Sequence, residues 1–289
     1  MAHPQRIIVI AMAWLFALAG AALAQSTDES GCCEVVLPDP FRGIDEAVLI
    51  RALYPAYDPR TRLLGADVVG EEGQALGGNL YAAVLEKGTA EPVLLVLIET
   101  WAPMEDGTRP DFGAAGYGLD LAAFTLADGA PVLLAQAKNA SGHSGHSAVD
   151  FDLAAYRVDA ARRAFGLRST YMHMGALNER LVLFLREGSG FAPIFERDML
   201  ESNQDMTGDE LAGPLDAAAM AELYEFFPEQ LAFRAQAVLQ VQPGKAGAPN
   251  LFKVVERRVE RRDDGGLDKR TLTEFWRWDE TAGTYVKRP

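Results

Sequence analysis

Three of the four histidines could share one site. His143 and His146 stand in Ser141-Gly142-His143-Ser144-Gly145-His146-Ser147, and Asp150 and Asp152 follow closely. Imidazole nitrogens and carboxylate oxygens are the ligands that zinc and similar divalent ions take, and a glycine-rich loop lets two rings turn inward. His173 would add a third imidazole if its strand lies alongside. The candidate metal set is therefore His143, His146, His173 and Asp150, and metal-dependent hydrolysis is the chemistry such a set would support. The same residues have a plainer reading. Gly, Ser and His are ordinary in loops, and a His-x-x-His spacing off a helix lacks fixed geometry. Asp150 and Asp152 alternate with Phe151 and Leu153, as the solvent face of a strand does.

Other constellations fall short of a reaction. Gly142-His143-Ser144-Gly145 approaches the Gly-x-Ser-x-Gly elbow, but His146 stands where the second glycine belongs and no helix pattern follows. Gly113 to Gly118 is glycine-rich without running into a helix, so it does not read as a phosphate cradle. Glu99 closes the apolar run Val93 to Ile98, just before Trp101. There a carboxylate would suit sugar binding or acid–base work, or would mark where a strand leaves the core. Near the C-terminus, Arg257-Arg258-Val259-Glu260-Arg261-Arg262 lies across a turn from Lys269 and Arg270, with Lys253 upstream. That pattern predicts either a cationic stripe or a salt-bridged face, because Glu256, Glu260, Asp263 and Asp264 interleave.

The elements that must hold these residues begin after the leader. Arg6 precedes the apolar run Ile7 to Ala24, and Ala22-Leu23-Ala24 gives a small-x-small site before Gln25. This is the pattern of a secretory signal peptide over 1–24, and it implies a secreted or periplasmic protein. Residues 25–40 read as a flexible tail carrying the only cysteines, Cys32 and Cys33. Adjacent cysteines are too close for an unstrained bridge, so no disulfide framework supports the fold. The chain has 289 residues and a formal charge of −14. Such an acidic chain repels nucleic-acid backbones and anionic lipid, and no apolar run after residue 24 is long enough to span a membrane.

From about Leu80 to Phe195 short apolar or alternating runs are separated by turn residues. The pattern predicts a mainly β, antiparallel β-meander, arranged as a sandwich or as propeller-like stacked sheets. Leu119–Phe124 is echoed 32 positions later by Phe151–Tyr156, as two similar hairpins would be. Residues 41–289 read as one domain with a polar and helical insertion over about 196–230. Within it, 215–227 is rich in Ala, Met, Glu and Leu, with Asp216 as the N-cap or a first-turn acid and Pro228 as the stop. A C-terminal hairpin follows: Phe252 to Arg262, a turn at Asp263-Asp264-Gly265-Gly266, then Thr271 to Trp278. Alternation puts Glu274, Trp276 and Trp278 on one face and Phe275 on the other, so both faces are expected to be partly covered.

The closing Phe275-Trp276-Arg277-Trp278-Asp279 with Tyr285-Val286 resembles the terminal strand pattern of repeat-like sheets in secreted bacterial β proteins, including integrin-type propeller repeats. The calcium-binding Asp-x-Asp-x-Asp-Gly core of that family is absent, so the resemblance implies stacked antiparallel sheets and no binding residue. With no nucleophile motif and no cofactor fingerprint, the sequence points to an exported, non-catalytic cell-envelope protein. It would bind an envelope protein or a small ligand through loops or through its C-terminal hairpin. The alternative is a metal-binding protein or metal-dependent hydrolase built on His143, His146 and His173.

Overall fold

The first helix is capped and follows the buried Leu37 and Phe41. Asp45 accepts the Ala47 N–H at 2.8 Å and starts α1 (Glu46–Leu53), which buries Ala47, Leu49 and Ile50. This helix is additional to the one expected over 215–227, and its acid N-cap followed by apolar residues three and four apart is a helix signal. The computed structural model describes residues 35–288 except 71–72, 105–108, 111–115, 145–146, 174, 208, 210, 227–230 and 246. The expected leader, most of the expected tail, both cysteines and His146 lie outside the described residues.

Strands follow in the meander order that the alternation predicts. They are β1 (Gly77–Leu85), β2 (Leu94–Trp101), β3 (Gly116–Ala127), β4 (Ala130–Ser144), β5 (Ser147–Arg157), β6 (Arg163–His173), β7 (Ala176–Glu187) and β8 (Gly190–Ser202). Two helical pieces, α2 (Gln204–Thr207) and α3 (Ala217–Phe226), precede β9 (Phe233–Gln242), β10 (Leu251–Arg261), β11 (Leu267–Asp279) and β12 (Thr284–Lys287). The fold is mainly β, a twelve-stranded, mostly antiparallel open sheet. Its path runs β1-β2-β3-β4-β8-β9-β10-β11-β12, and β5, β6 and β7 branch from β8. The exception to antiparallel pairing is one β4–β8 contact, Gln136 with Gly190. Leu119–Phe124 lies in β3 and Phe151–Tyr156 in β5, strands with different neighbours.

Two apolar cores form, and β5–β7 serve both. Leu95, Leu97, Leu119, Leu121 and Ala123 of β2 and β3 meet Val149, Phe165, Leu167 and Phe184. On the reverse side Tyr156, Leu181, Leu183 and Leu185 meet Phe195, Phe252, Val254, Trp278 and Tyr285. Period-2 alternation along β7 accounts for this, since Leu181, Leu183 and Leu185 point one way and Phe184 the other. Phe252 stacks on Tyr285 with ring centroids 3.7 Å apart and meets Phe195 edge-on at 5.5 Å.

The insertion begins later than expected. Glu196–Ser202 extend β8 against β7, because Arg180 pairs with Glu196 at 2.8 Å and with Asp198 at 3.1 Å across the strands. Asp216 does cap α3, accepting the N–H groups of Ala218 and Ala219 at 3.0 and 2.9 Å. Pro228 lies outside the described residues. Arg261, expected on the hairpin's solvated face, is instead fully buried and bound to Asp209 at 2.7 Å. That pair fastens the loop before α3 to the end of β10.

Candidate interaction surface

The C-terminal strands sort their charges by parity. β10 pairs with β9 on one side and β11 on the other with no register shift, so residues two apart share a face along the whole unit. The core face carries Ala237, Phe252, Val254, Trp276 and Trp278. Beyond the apolar patch it carries Glu256, Arg258, Glu260, Arg270 and Glu274, and these pair with one another or with neighbours. Arg197 meets Glu256 at 2.6 Å and Glu274 at 3.3 Å, Lys287 meets Glu274 at 2.7 Å, Arg258 meets Glu260 at 2.6 Å, and Arg270 also reaches Glu260. Burial alone would raise the Glu274 carboxyl. The Lys287 hydrogen bond and the Arg197 and Lys287 charges outweigh it and hold the group below its ordinary range.

The opposite face has another composition. Successive rows across β9, β10 and β11 read Arg234–Val259–Lys269, Gln236–Arg257–Thr271, Val238–Val255–Thr273 and Gln240–Lys253–Phe275. Arg277, opposite Val286 on β12, extends the surface. From Arg234 to Gln242, Leu251 to Val259 and Lys269 to Arg277, the outward positions hold five cations and no carboxylate. None of those five cations forms an ion pair with a described residue. Val238 is 54% exposed and Phe275 39%. Both readings of the basic run therefore hold, one on each face of the same strands. Phe275 stays exposed on this second face, while at its far end Arg261, the outward position after Val259, is covered where Asp209 and Gly213 bind it.

The predicted metal residues are placed as follows. Ser141–Ser144 belong to β4 rather than to a loop, with His143 opposite Tyr117. β5 begins at Ser147, opposite Tyr171 of β6, so His173 lies at the end of β6 nearest the β4–β5 connection that contains His146. The imidazoles of His143, His146 and His173 lie outside what the structure describes. Asp150 is exposed, opposite Arg168. Among the described residues no three His, Cys, Asp or Glu side chains converge as a metal site would require. Asp152 is not a solvent-face residue. It accepts the Tyr156 hydroxyl at 2.7 Å and pairs with Arg168 at 2.7 Å, and Arg168 also holds Glu179. Tight pairing replaces solvation there.

Two buried carboxylates in β2 and β3 stand apart from this surface. Glu99 is fully buried, rather than marking an exit from the core, and pairs with Arg109 at 2.8 Å. The Arg109 guanidinium lies 5.7 Å from the Trp101 ring centre. Glu99 and Trp101 are both closed to a solute such as a sugar. Asp120 fills a bulge, since Leu119 pairs with Ser141 and Leu121 with Ala137, leaving Lys138, Asn139 and Ala140 against one residue. Its carboxylate accepts the Asn139 N–H at 2.8 Å, the Lys138 ammonium at 3.2 Å and the Tyr54 hydroxyl. Asn139 takes φ +51°, a left-handed conformation that Asn tolerates. Burial, then the Asp120 charge, raise the Tyr54 phenol far above its ordinary value, so it stays a donor. Sequence reasoning missed this cluster, because Tyr54, Asp120 and Lys138 are far apart in the chain and meet only through the bulge.

No family model, curated protein or solved structure matches this chain. Among the described residues no helix is long and apolar enough to cross a membrane.

Proposed function

We propose that this chain is an exported, non-catalytic binding protein of the cell envelope, and that it takes an anionic protein partner on the outer face of β9–β11. One observation carries the reading: in a chain of charge −14, five cations gather on one sheet face without a carboxylate among them. A stable fold has no need of such a face, since like charges on neighbouring strands repel. The exposed Val238 and Phe275 favour a protein over a bare phosphate or sulfate surface, because apolar side chains gain only from an apolar counterpart.

The face is tested with poly-L-glutamate as a defined protein-like polyanion. The wild-type chain should bind it at low salt and release it as screening rises. The double variant Lys253→Glu with Arg257→Glu should bind about tenfold more weakly or worse, while its stability changes by no more than about 1 kcal/mol. Equal binding by wild type and variant overturns the reading. Export is checked separately. The full chain made in a bacterial host should leave the cytoplasm and yield a processed product beginning at Gln25, and retention of residues 1–24 counts against it.

A further inference from the structure

The same unit has an open edge. β12 pairs with β11 only over Trp276–Asp279, and the Arg288 N–H reaches the Phe275 carbonyl at 2.8 Å. Phe275 therefore turns its backbone polar groups toward the β12 side. Backbone direction alternates along a strand, so Thr273, Thr271 and Lys269 turn their N–H and C=O groups the same way. No described residue meets them there. Residues 268–273 are all exposed, so nothing described covers this edge. Leu272 projects on the core-side parity and is still 44% exposed, beyond the reach of the apolar core.

We infer that β11 accepts an extended acidic segment of the partner protein as an added strand along Lys269–Thr273. The inference rests on the anionic-partner reading above and specifies how that partner docks. Three residues offer six unpaired backbone groups, which give an incoming strand its hydrogen bonds. Side chains of that strand alternate between two environments. On the outer face they lie beside Lys269, with Arg257 and Arg234 farther across the sheet, and carboxylates match them. On the other face they lie beside Leu272 and Arg270; Glu260 and Asp268 already pair with Arg270, so a β-branched apolar residue beside Leu272 is the match left to make. The recognised segment therefore alternates acid with Val or Ile. A polysaccharide or lipid headgroup satisfies the charge but not the backbone groups or Leu272.

The probe is a labelled, N-acetylated heptapeptide alternating Glu and Val, with a Lys–Val counterpart as control. Binding is read by fluorescence polarisation against the purified chain. The Glu–Val peptide should saturate and the Lys–Val peptide should not. Thr271→Pro is the decisive variant. It removes an N–H that points to the open edge and none that pairs with β10, so the fold tolerates it. It should weaken the peptide about tenfold, as expected when a backbone bond is lost and the strand approach is blocked. If the proline variant unfolds, hydrogen exchange on wild type gives the same answer: the amides of Lys269, Thr271 and Thr273 should become protected when peptide is added. Peptide binding that survives Thr271→Pro, or leaves those amides unprotected, overturns strand addition. If the Lys253→Glu, Arg257→Glu variant still loses poly-L-glutamate, the face reading survives alone. Failure of the Glu–Val peptide to bind while poly-L-glutamate binds has the same meaning. If neither probe binds wild type, both readings fall.

Discussion

Arg261→Ala is expected to destabilise the protein by about 3–5 kcal/mol, the usual cost of removing one partner from a buried ion pair. Arg261 has no exposed side-chain surface. Two of its nitrogens meet the two Asp209 oxygens at 2.7 Å, and the third donates to the Gly213 and Gly265 carbonyls at 2.7 and 2.9 Å. Truncation leaves a buried carboxylate and two carbonyls without this donor. Asp209→Asn should cost less, because the amide oxygen still accepts one bond. The double variant should cost less than the two single losses added together, as contacting partners do. Denaturant midpoints measure all three.

The pH dependence has a definite sign. Burial alone would raise the Asp209 carboxyl, but the Arg261 hydrogen bonds, the Leu211 N–H and the Arg261 charge outweigh it and hold the group below its ordinary value. Its contribution is present above the unfolded-state pKa of about 3.9 and is lost as pH falls through the lower folded value. In Arg261→Ala only the burial effect and the Leu211 bond remain, so acid relieves the variant while it weakens the wild type. The stability gap between them should narrow from pH 7 to pH 3.5. A constant gap would place the cost in lost packing instead.

Asp120→Ala is expected to cost about 3 kcal/mol, mainly from the buried Tyr54 hydroxyl and Asn139 N–H that lose their acceptor. Lys138 contributes less, because its side chain is 44% exposed and regains water. Asp120→Asn keeps an acceptor for the bulge and should cost about 1 kcal/mol. Because Asp120 closes the bulge opposite Lys138–Ala140, the alanine variant should also loosen β4 locally. Faster amide exchange at Asn139 and Ala140 than in the asparagine variant would show this. Equal stability of both variants would mean that the charge, rather than the acceptor, matters.

These two clusters mark the limit of what alternation reveals. Strand order from Leu80 to Phe195 and the C-terminal hairpin are legible, because period-2 patterns and Gly-rich turns are local. So is α3, whose Asp216 cap and alanine run lie within a few residues. Arg261 reads as one more charge in a basic run, because Asp209 buries it from 52 residues away. The cationic face is half legible. Parity separates Lys253 and Arg257 from Glu256 and Glu260, but only the register across β9 adds Arg234 and shows that no acid stands at the outward positions from Arg234 to Gln242. His143, His146 and His173 are legible as a spacing, and their imidazoles lie outside the described residues.

The layer β5–β7 has apolar contacts on both sides, with Phe184 in one core and Leu183 in the other. Neither end of the molecule can therefore melt while its opposite stays dry, since freeing either side of this shared wall bares oil that the other needs covered. The chain should come apart in one cooperative transition despite its two cores. The slowest-exchanging amides should lie in β6 and β7. The C-terminal strands are then rigid up to their edge, because their floor is anchored from behind.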